Sequence, residues 1–275
     1  MQAGIIGLGL IGGSLGLALR ETKMFKSIAG LDTNELHAQQ ALSLGLVDEI
    51  LELQEIKECD IIFLATPVEG IIETLNHISP LSAHTTLVDL GSTKQRILES
   101  VPKEIQKNFV PAHPMCGIEN SGPKAAFKEL FNGSLMILFD CQESGDFQKA
   151  FAKEVFLALG MKILKMDIFD HDHHAAYISH LPHIISFALA NVVLRQEDPK
   201  SILALAAGGF KGMVRIAKSS PVMWSEVAKQ NQENLLESIE AFQKEMQQSK
   251  EWIKQEDWHS LYEWMENANH LHDIF

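Results

Sequence analysis

Cysteine is scarce in this chain of 275 residues. Cys59, Cys116 and Cys141 form an odd set without paired spacing, which excludes a disulfide scaffold and reads as reduced thiols in a cytosolic protein. Basic residues are also few: 23 Lys and Arg stand against 36 Asp and Glu, a formal charge of −13. The deficit is shared, −6 over residues 1–166 and −7 over 167–275, so neither half offers a nucleic-acid surface. An acidic protein that binds an anion must gather positive charge locally. Repeats and low-complexity tracts are missing. Gly, Ser, Asn or charged residues break the apolar runs short of a membrane span, so no membrane partner is expected. The glycine-rich start, MQAGIIGLGLIGG, lacks a basic leader and runs into Arg20 and Glu21; it reads as folded structure and not as a signal peptide. What remains is an ordinary soluble composition, 46% hydrophobic and 21% charged, with length for about two domains.

The first half alternates short apolar runs with helical patterns. Strands are predicted at 3–8, 27–32, 60–66, 85–90, 109–113, 135–139 and 162–166, and helices at 12–21, 34–44, 68–78 and 147–159. Near-continuous apolar strands separated by helices predict a doubly wound, mainly parallel α/β sheet. After Met166 the strand signal stops, and 168–194, 201–218 and 221 onward read as helix. The expected division is therefore 1–166 and 167–275. The stretch from Ile184 to Leu194 is apolar almost all round, more than a small helical domain covers alone; a second subunit is expected to cover it.

Gly7-Leu8-Gly9-Leu10-Ile11-Gly12 follows the first strand and opens the first helix. In that setting GxGxxG reads as a dinucleotide site: a tight turn, a close backbone approach to pyrophosphate, and a helix N-terminus facing the anion. Asp32 ends the second strand, where an acid accepts the ribose hydroxyls and repels a 2′-phosphate, favouring NAD over NADP. Three further strand ends carry polar residues: Ala65-Thr66-Pro67, Asp89-Leu90-Gly91-Ser92-Thr93-Lys94 and Ala112-His113-Pro114-Met115-Cys116-Gly117. Ligands of open α/β sheets sit beyond those ends, which puts Thr66 and Pro67 against the cofactor and Ser92 and His113 near its reactive ring. A neutral histidine suits removal of a hydroxyl proton at pH 7, with Ser92 orienting it or binding the same hydroxyl.

Five of the 12 histidines lie in His171-Asp172-His173-His174 and His180-Leu181-Pro182-His183. Helical spacing scatters them and no metal-ligand pattern emerges, so no metal is assigned. His180 and His183 share a helix face, one available for a substrate carboxylate and the other structural. Lys211, Arg215 and Lys218 fall at i, i+4 and i+7, the one basic stripe of the acidic second half. Arginine grips carboxylates bidentately, and a carboxylate-bearing substrate accounts for the stripe.

Taken in order, Gly7–Ser14, Asp89–Lys94, His113-Pro114-Met115-Cys116-Gly117, Ser179–His183, Gly208-Gly209-Phe210-Lys211 through Arg215, and Ser220-Pro221-Val222-Met223-Trp224 resemble the prephenate dehydrogenase family over nearly the whole chain. The resemblance implies a Rossmann domain followed by an all-α dimerisation domain in a cytoplasmic homodimer. The implied reaction is NAD-dependent oxidative decarboxylation of prephenate to 4-hydroxyphenylpyruvate, on the route to tyrosine. It further implies that His183 and Arg215 bind substrate carboxylates and that Lys211, Trp224 and Glu119 line or gate the pocket. Two positions depart from the family pattern. Ile118 stands where relatives often carry Thr, and Gly212 where they often carry Asp, which bears on side-chain selectivity and on feedback by tyrosine. No appended regulatory or chorismate mutase domain is expected, so feedback would act at the active site. Arogenate dehydrogenase is the neighbouring alternative. More distant ones are another Rossmann-plus-helical enzyme, such as a 3-hydroxyacid dehydrogenase or imine reductase, and an NAD-sensing module without chemistry.

Overall fold

In the computed structural model, which describes residues 1–274, eight strands form one sheet in the order β3-β2-β1-β4-β5-β6-β7-β8. They are β1 (Gln2–Ile6), β2 (Ser27–Leu31), β3 (Glu49–Ile50), β4 (Ile61–Leu64), β5 (Thr86–Asp89), β6 (Phe109–Met115), β7 (Leu135–Phe139) and β8 (Lys162–Met166). The helices are α1 (Leu10–Thr22), α2 (Glu35–Ser43), α3 (Leu53–Ile56), α4 (Val68–Ile78), α5 (Gln95–Glu99), α6 (Asp146–Ala158), α7 (Ile168–Ala175), α8 (Leu181–Leu194), α9 (Pro199–Ala204), α10 (Gly208–Val214), α11 (Pro221–Gln230), α12 (Gln232–Gln255) and α13 (Trp258–Asn269).

Every residue of β4 and β5 is buried, as strands covered on both faces must be. One core layer holds Leu15, Leu19, Phe63, Phe131 and Phe156, and the other holds Ile62, Leu64, Ile71, Leu75 and Phe109. Helix α4 shows how a surface helix joins such a layer: Val68, Ile71, Leu75 and Ile78 make a single buried stripe. The chain order reverses between β1 and β4, which opens a crevice at the carboxyl edge of the sheet.

The pairing is parallel except between β6 and β7. Strand β6 pairs with β5 only as far as Asp89↔Pro111 and then with β7 from Ala112 onward. Pro111 and Pro114 have no N–H to give a ladder, and the change of partner falls between them.

The expected helix over 168–194 is one continuous rod, but its middle, Ala176–His180, is a π turn. The rod is long and apolar enough to cross a membrane by length and composition, contrary to the expectation that every apolar run is too short. The expected helix over 201–218 breaks up into α9, α10 and a 3₁₀ turn at Arg215–Lys218. The break falls at Leu205-Ala206-Ala207, just before the paired glycines that open α10; glycine weakens a helix that would run through it. Lys211, Arg215 and Lys218 consequently do not form one α-helical stripe. Two compact units emerge, Met1–Asn231 and Gln232–Phe275. In the second, Trp252 and Trp264 pack with ring centroids 6.3 Å apart and Trp264 Nε1 donates to Glu245 at 2.7 Å.

Candidate active site

The turn after β1 is built for an anion. Gly7 has φ +95, which favours glycine, and a side chain at Gly12 would strike the Gly7 carbonyl. A Cβ at Gly9 would meet nothing, so that side of the loop is open. Helix α1 begins there with no side-chain cap and no acid in its first turn. The first-turn N–H groups, Leu10 and Ile11 among them, are orphan donors at the positive end of the helix. Asp32, at the end of β2, accepts from Leu8 N at 2.8 Å and Asn34 N at 2.9 Å, which fixes the carboxylate beside the glycine turn. Across the crevice, at the end of β4, Thr66 Oγ1 is buried without a partner among the described residues, and exposed Pro67 caps α4. An open glycine turn, an uncapped helix and an orphaned hydroxyl fit a dinucleotide.

His113 sits where β6 changes partners, opposite Ile137. Its Nδ1 lies 2.8 Å from His171 Nε2, and His171 Nδ1 lies 2.8 Å from Asp172 Oδ1. Asp172 also accepts from the backbone N–H groups of Lys94 (3.1 Å) and Gln95 (3.0 Å). Burial alone would raise the Asp172 carboxyl; the bonds from His171, Gln95 and Lys94 outweigh it and hold the group below the usual carboxylate range. Burial, reinforced by His171, Lys94 and His180, keeps His113 well below the ordinary imidazole range, so it is neutral at pH 7. Beneath it, Lys94 Nζ donates to Asp89 Oδ2 and, at 2.8 Å, to the Ala112 carbonyl. Both side chains are fully buried. The ammonium thus bonds a β6 carbonyl just beyond the end of the β5–β6 ladder. Ser92 is half-buried three residues beyond β5, at the carboxyl end of the strand adjoining β6.

A second group surrounds Trp224. Its ring stacks on His183 at 3.5 Å and meets His180 edge-on at 5.9 Å. Ser220 and Pro221 supply the N-cap and first turn that start α11 and aim this ring. His180 is buried, is pushed down to about 4 by burial, and faces the Asn231 amide at 3.2 Å. His183 is half-buried, and its Nδ1 donates to the Ser179 carbonyl at 2.9 Å. Burial lowers His183, with Arg215 adding to the effect. Arg215 Nη1 donates to Glu119 Oε2 at 3.1 Å in an exposed pair. Lys211 is exposed, with no ion pair among the described residues. The structure therefore gathers His180 and His183 around Trp224 and pairs Arg215 with Glu119, with His113 bonded to His171 on the same rod as both histidines.

Models of two family domains match the chain in tandem: "Prephenate dehydrogenase, nucleotide-binding domain" over residues 15–165 and "Prephenate dehydrogenase, dimerization domain" over 168–267. Prephenate dehydrogenase of Bacillus subtilis is 31% identical over 98% of this chain and 74% of its own length. The chain belongs to the prephenate dehydrogenase family. The Aquifex aeolicus prephenate dehydrogenase, solved with hydroxyphenyl propionate and NAD+, superposes with a TM-score of 0.92 at 30% identity, covering 100% of this chain and 98% of that one. Synechocystis arogenate dehydrogenase gives 0.79 at 29% identity, with 100% and 99% covered. A mainly parallel α/β sheet followed by helices is what the strand-then-helix pattern predicted, and the family is the one that the ordered motifs resemble.

For a prephenate dehydrogenase, the sequence reading left out four groups that the structure brings forward: His171, Asp172, Asn231 and the Lys94–Asp89 pair. His171 and Asp172 stood within the histidine cluster weighed for metal. Among the described residues no group of three His, Cys, Asp or Glu side chains is placed to hold an ion. The spacing argument assumed an unbroken α-helix, and the π turn alters that spacing. It shifts the phase of everything beyond it, so that His171 and His180 are both buried although α-helical spacing sets them on different faces. Lys94 and Asp89 had a usable signal: two charges five residues apart where a buried strand ends.

Proposed function

We propose that this chain is an NAD-dependent dehydrogenase that converts prephenate to 4-hydroxyphenylpyruvate and carbon dioxide, on the route to tyrosine. The observation that carries the reading is His113: a neutral imidazole at the carboxyl edge of the sheet, beside the crevice that fits a dinucleotide. Gly7, Gly9, Gly12, Leu10 and Ile11 would hold the pyrophosphate, Asp32 the ribose hydroxyls, and Thr66 and Pro67 the nicotinamide side. NAD held by these residues would supply the acceptor for the hydride that leaves ring C4 of the substrate. His113 takes the proton of the C4 hydroxyl, and Ser92 orients that hydroxyl. As C4 gains carbonyl character, the ring carboxylate leaves and its electrons aromatise the ring.

Arg215 and His183 would bind the substrate carboxylates, with Trp224 stacked behind His183 and Glu119 releasing Arg215 as substrate enters. Burial of His180 against Asn231 supports a structural part for it, leaving His183 as the ligand of the pair. Lys211, exposed in one chain, would act at the pocket mouth. The functional division remains 1–166 for nucleotide and 167–275 for substrate and dimerisation, although polar ties from Asp172 to Lys94 and Gln95, and from Lys229 and Gln230 to Glu69, join part of the helical region to the first half. We read the protein as a cytoplasmic homodimer. The polar network on Asp172, buried within the 168–194 rod, argues against insertion of that rod in a bilayer.

Similarity to the Synechocystis arogenate dehydrogenase supports a second substrate, in which an amino acid side chain replaces the keto acid. NADH formation measured side by side with prephenate and arogenate, using NAD and NADP, decides between them. His113→Asn tests the base: loss of general-base catalysis is worth roughly 10²–10⁴ in rate, with NAD affinity retained. A variant that keeps most of its turnover removes His113 from the mechanism.

A further inference from the structure

We propose that His171 and Asp172 are positioning residues for His113, holding its Nδ1 protonated and its Nε2 bare and sharing the positive charge that forms when it takes a proton. This rests on the reading of His113 as the base. The order of protons follows from one end of the chain. An ionised carboxylate accepts only, and Asp172 already accepts two backbone N–H groups at the start of α5. The hydrogen between Asp172 and His171 therefore belongs to His171 Nδ1. With its single ring proton on Nδ1, His171 has a bare Nε2, which accepts from His113 Nδ1–H at 2.8 Å. His113 is left with its lone pair on Nε2.

His171 is 2% exposed. Its ring is nearly perpendicular both to His113 (83°) and to Phe139 (86°), each with centroids 5.0 Å away, which packs it on two sides. The charged and titratable groups around the pair are Asp172 on the same rod, His180 further along it, and the Lys94–Asp89 pair from the end of β5. Of these only Asp172 touches His171.

The same chain can move a proton. When the substrate O–H bond breaks and its proton bonds to His113 Nε2, the Nδ1 proton shifts to His171 Nε2. The imidazolium then lies against Asp172, and His113 returns to neutrality with the opposite tautomer. No oxidant or further reactant enters this step. The arrangement has the logic of a base oriented by a third group, with one additional imidazole between base and carboxylate.

The test uses the full-length protein with His113→Asn, Asp172→Asn, His171→Leu and His171→Gln, read by kcat against pH and by imidazole nitrogen NMR of histidine-labelled protein, His113→Asn serving as the assignment control. In Asp172→Asn the amide oxygen stays on the Lys94 and Gln95 N–H groups and the NH2 faces His171, which reverses the chain and blocks His113 Nε2. The expected kcat loss is about 10⁴-fold, as for a triad base held in the wrong tautomer, with Nε2 protonated in the spectrum. His171→Leu should cost roughly 10²-fold or more and move the acid limb of the profile to lower pH, because the imidazolium has lost its support. His171→Gln keeps an acceptor for Nδ1–H and should cost about tenfold. Wild-type tautomer, kcat and acid limb in Asp172→Asn and His171→Leu, with His113→Asn inactive, would overturn the proposal and leave His113 as an unaided base. An active His113→Asn overturns the base itself. If Asp172→Asn does not fold, equal kcat and an unmoved acid limb in the two His171 variants overturn the proposal equally well.

Discussion

The sheet half of the molecule and the rod that follows it bury their apolar residues to very different extents. Strands β4 and β5 are buried at every position. In α8, fourteen residues long and largely apolar, only Ser186 is buried, and α9 and α10 have no buried residue. Val192 is 60% exposed and Leu205 86%. The sheet carries its own cover in two core layers, whereas the helices display theirs. The second region leaves much of its apolar surface uncovered in the single chain, and it matches the dimerisation-domain family. The proposed site draws on both regions: His113 from the sheet half, and His171, His183 and Arg215 from the helices after it.

That contrast is sharpest where one charge is removed from the sheet half. Lys94 and Asp89 are both fully buried. Lys94→Ala leaves Asp89 without its counter-charge and the Ala112 carbonyl without its donor. Breaking a buried pair from one side costs about 3–5 kcal/mol, seen as a lower urea midpoint that does not depend on protein concentration. Asp89→Asn combined with Lys94→Met should recover part of the loss, because replacing both partners avoids the orphaned charge. An unchanged midpoint in Lys94→Ala would show that the pair holds nothing.

In the helical half the largest effect expected is on substrate. Arg215 and Glu119 are an exposed pair in the free chain, and such pairs add little stability. Arg215→Ala should therefore leave the urea midpoint unchanged. Against a desolvated substrate carboxylate the same guanidinium is worth about 2–5 kcal/mol, roughly 30- to 4,000-fold in kcat/KM. Lys218→Ala should cost on the order of 0–1 kcal/mol. Equal small losses in both variants would make the basic residues mere surface and leave the carboxylates to His183.

Assembly comes next. Val192→Glu adds a charge to the displayed face of α8 without touching the core. It should leave the circular dichroism of the sheet half intact and raise the dimer dissociation constant by about 30-fold, the roughly 2 kcal/mol of an unpaired polar group in an apolar contact. Sedimentation at low micromolar concentration checks it; an undisturbed dimer would place the interface elsewhere.

These regions also differ in how far they could be read in advance. Strand β7 lies where its apolar run predicted because near-continuous burial writes itself into composition, and helix α4 because its one buried stripe recurs at helical spacing. Strand β3 was invisible, since Glu49 and Ile50 are exposed and make no apolar run. The reversal at β6 depends on which neighbour a proline-bearing strand finds, a tertiary choice. Asp32, His113 and the glycine turn could be found because strand ends fix where ligands go. Asp172 could not, because its significance lies in bonds to Lys94 and Gln95 more than seventy residues away. Arg215 was legible as a residue and wrong in its setting: a 3₁₀ turn, not an α-helical stripe, presents it.

The smallest expected effect returns to the sheet half and asks whether its cofactor pocket is as fixed as its core. Asp32 is held by Leu8 N and Asn34 N, so its carboxylate cannot swing away from a 2′-phosphate, and repulsion there is built into the backbone. Asp32→Ser removes that charge but keeps an oxygen able to accept one of the two N–H groups. The fold should stand, with the midpoint moving by less than about 1 kcal/mol. NAD efficiency should fall by about tenfold, the worth of one charge-assisted hydrogen bond to the ribose, while NADP efficiency rises as the repulsion disappears. The discrimination ratio therefore shrinks from both sides, and kcat/KM for the two cofactors in the two proteins measures it. A wild-type enzyme that uses NAD and NADP equally would sink the assignment, since a fixed carboxylate at that place cannot be indifferent to a phosphate dianion.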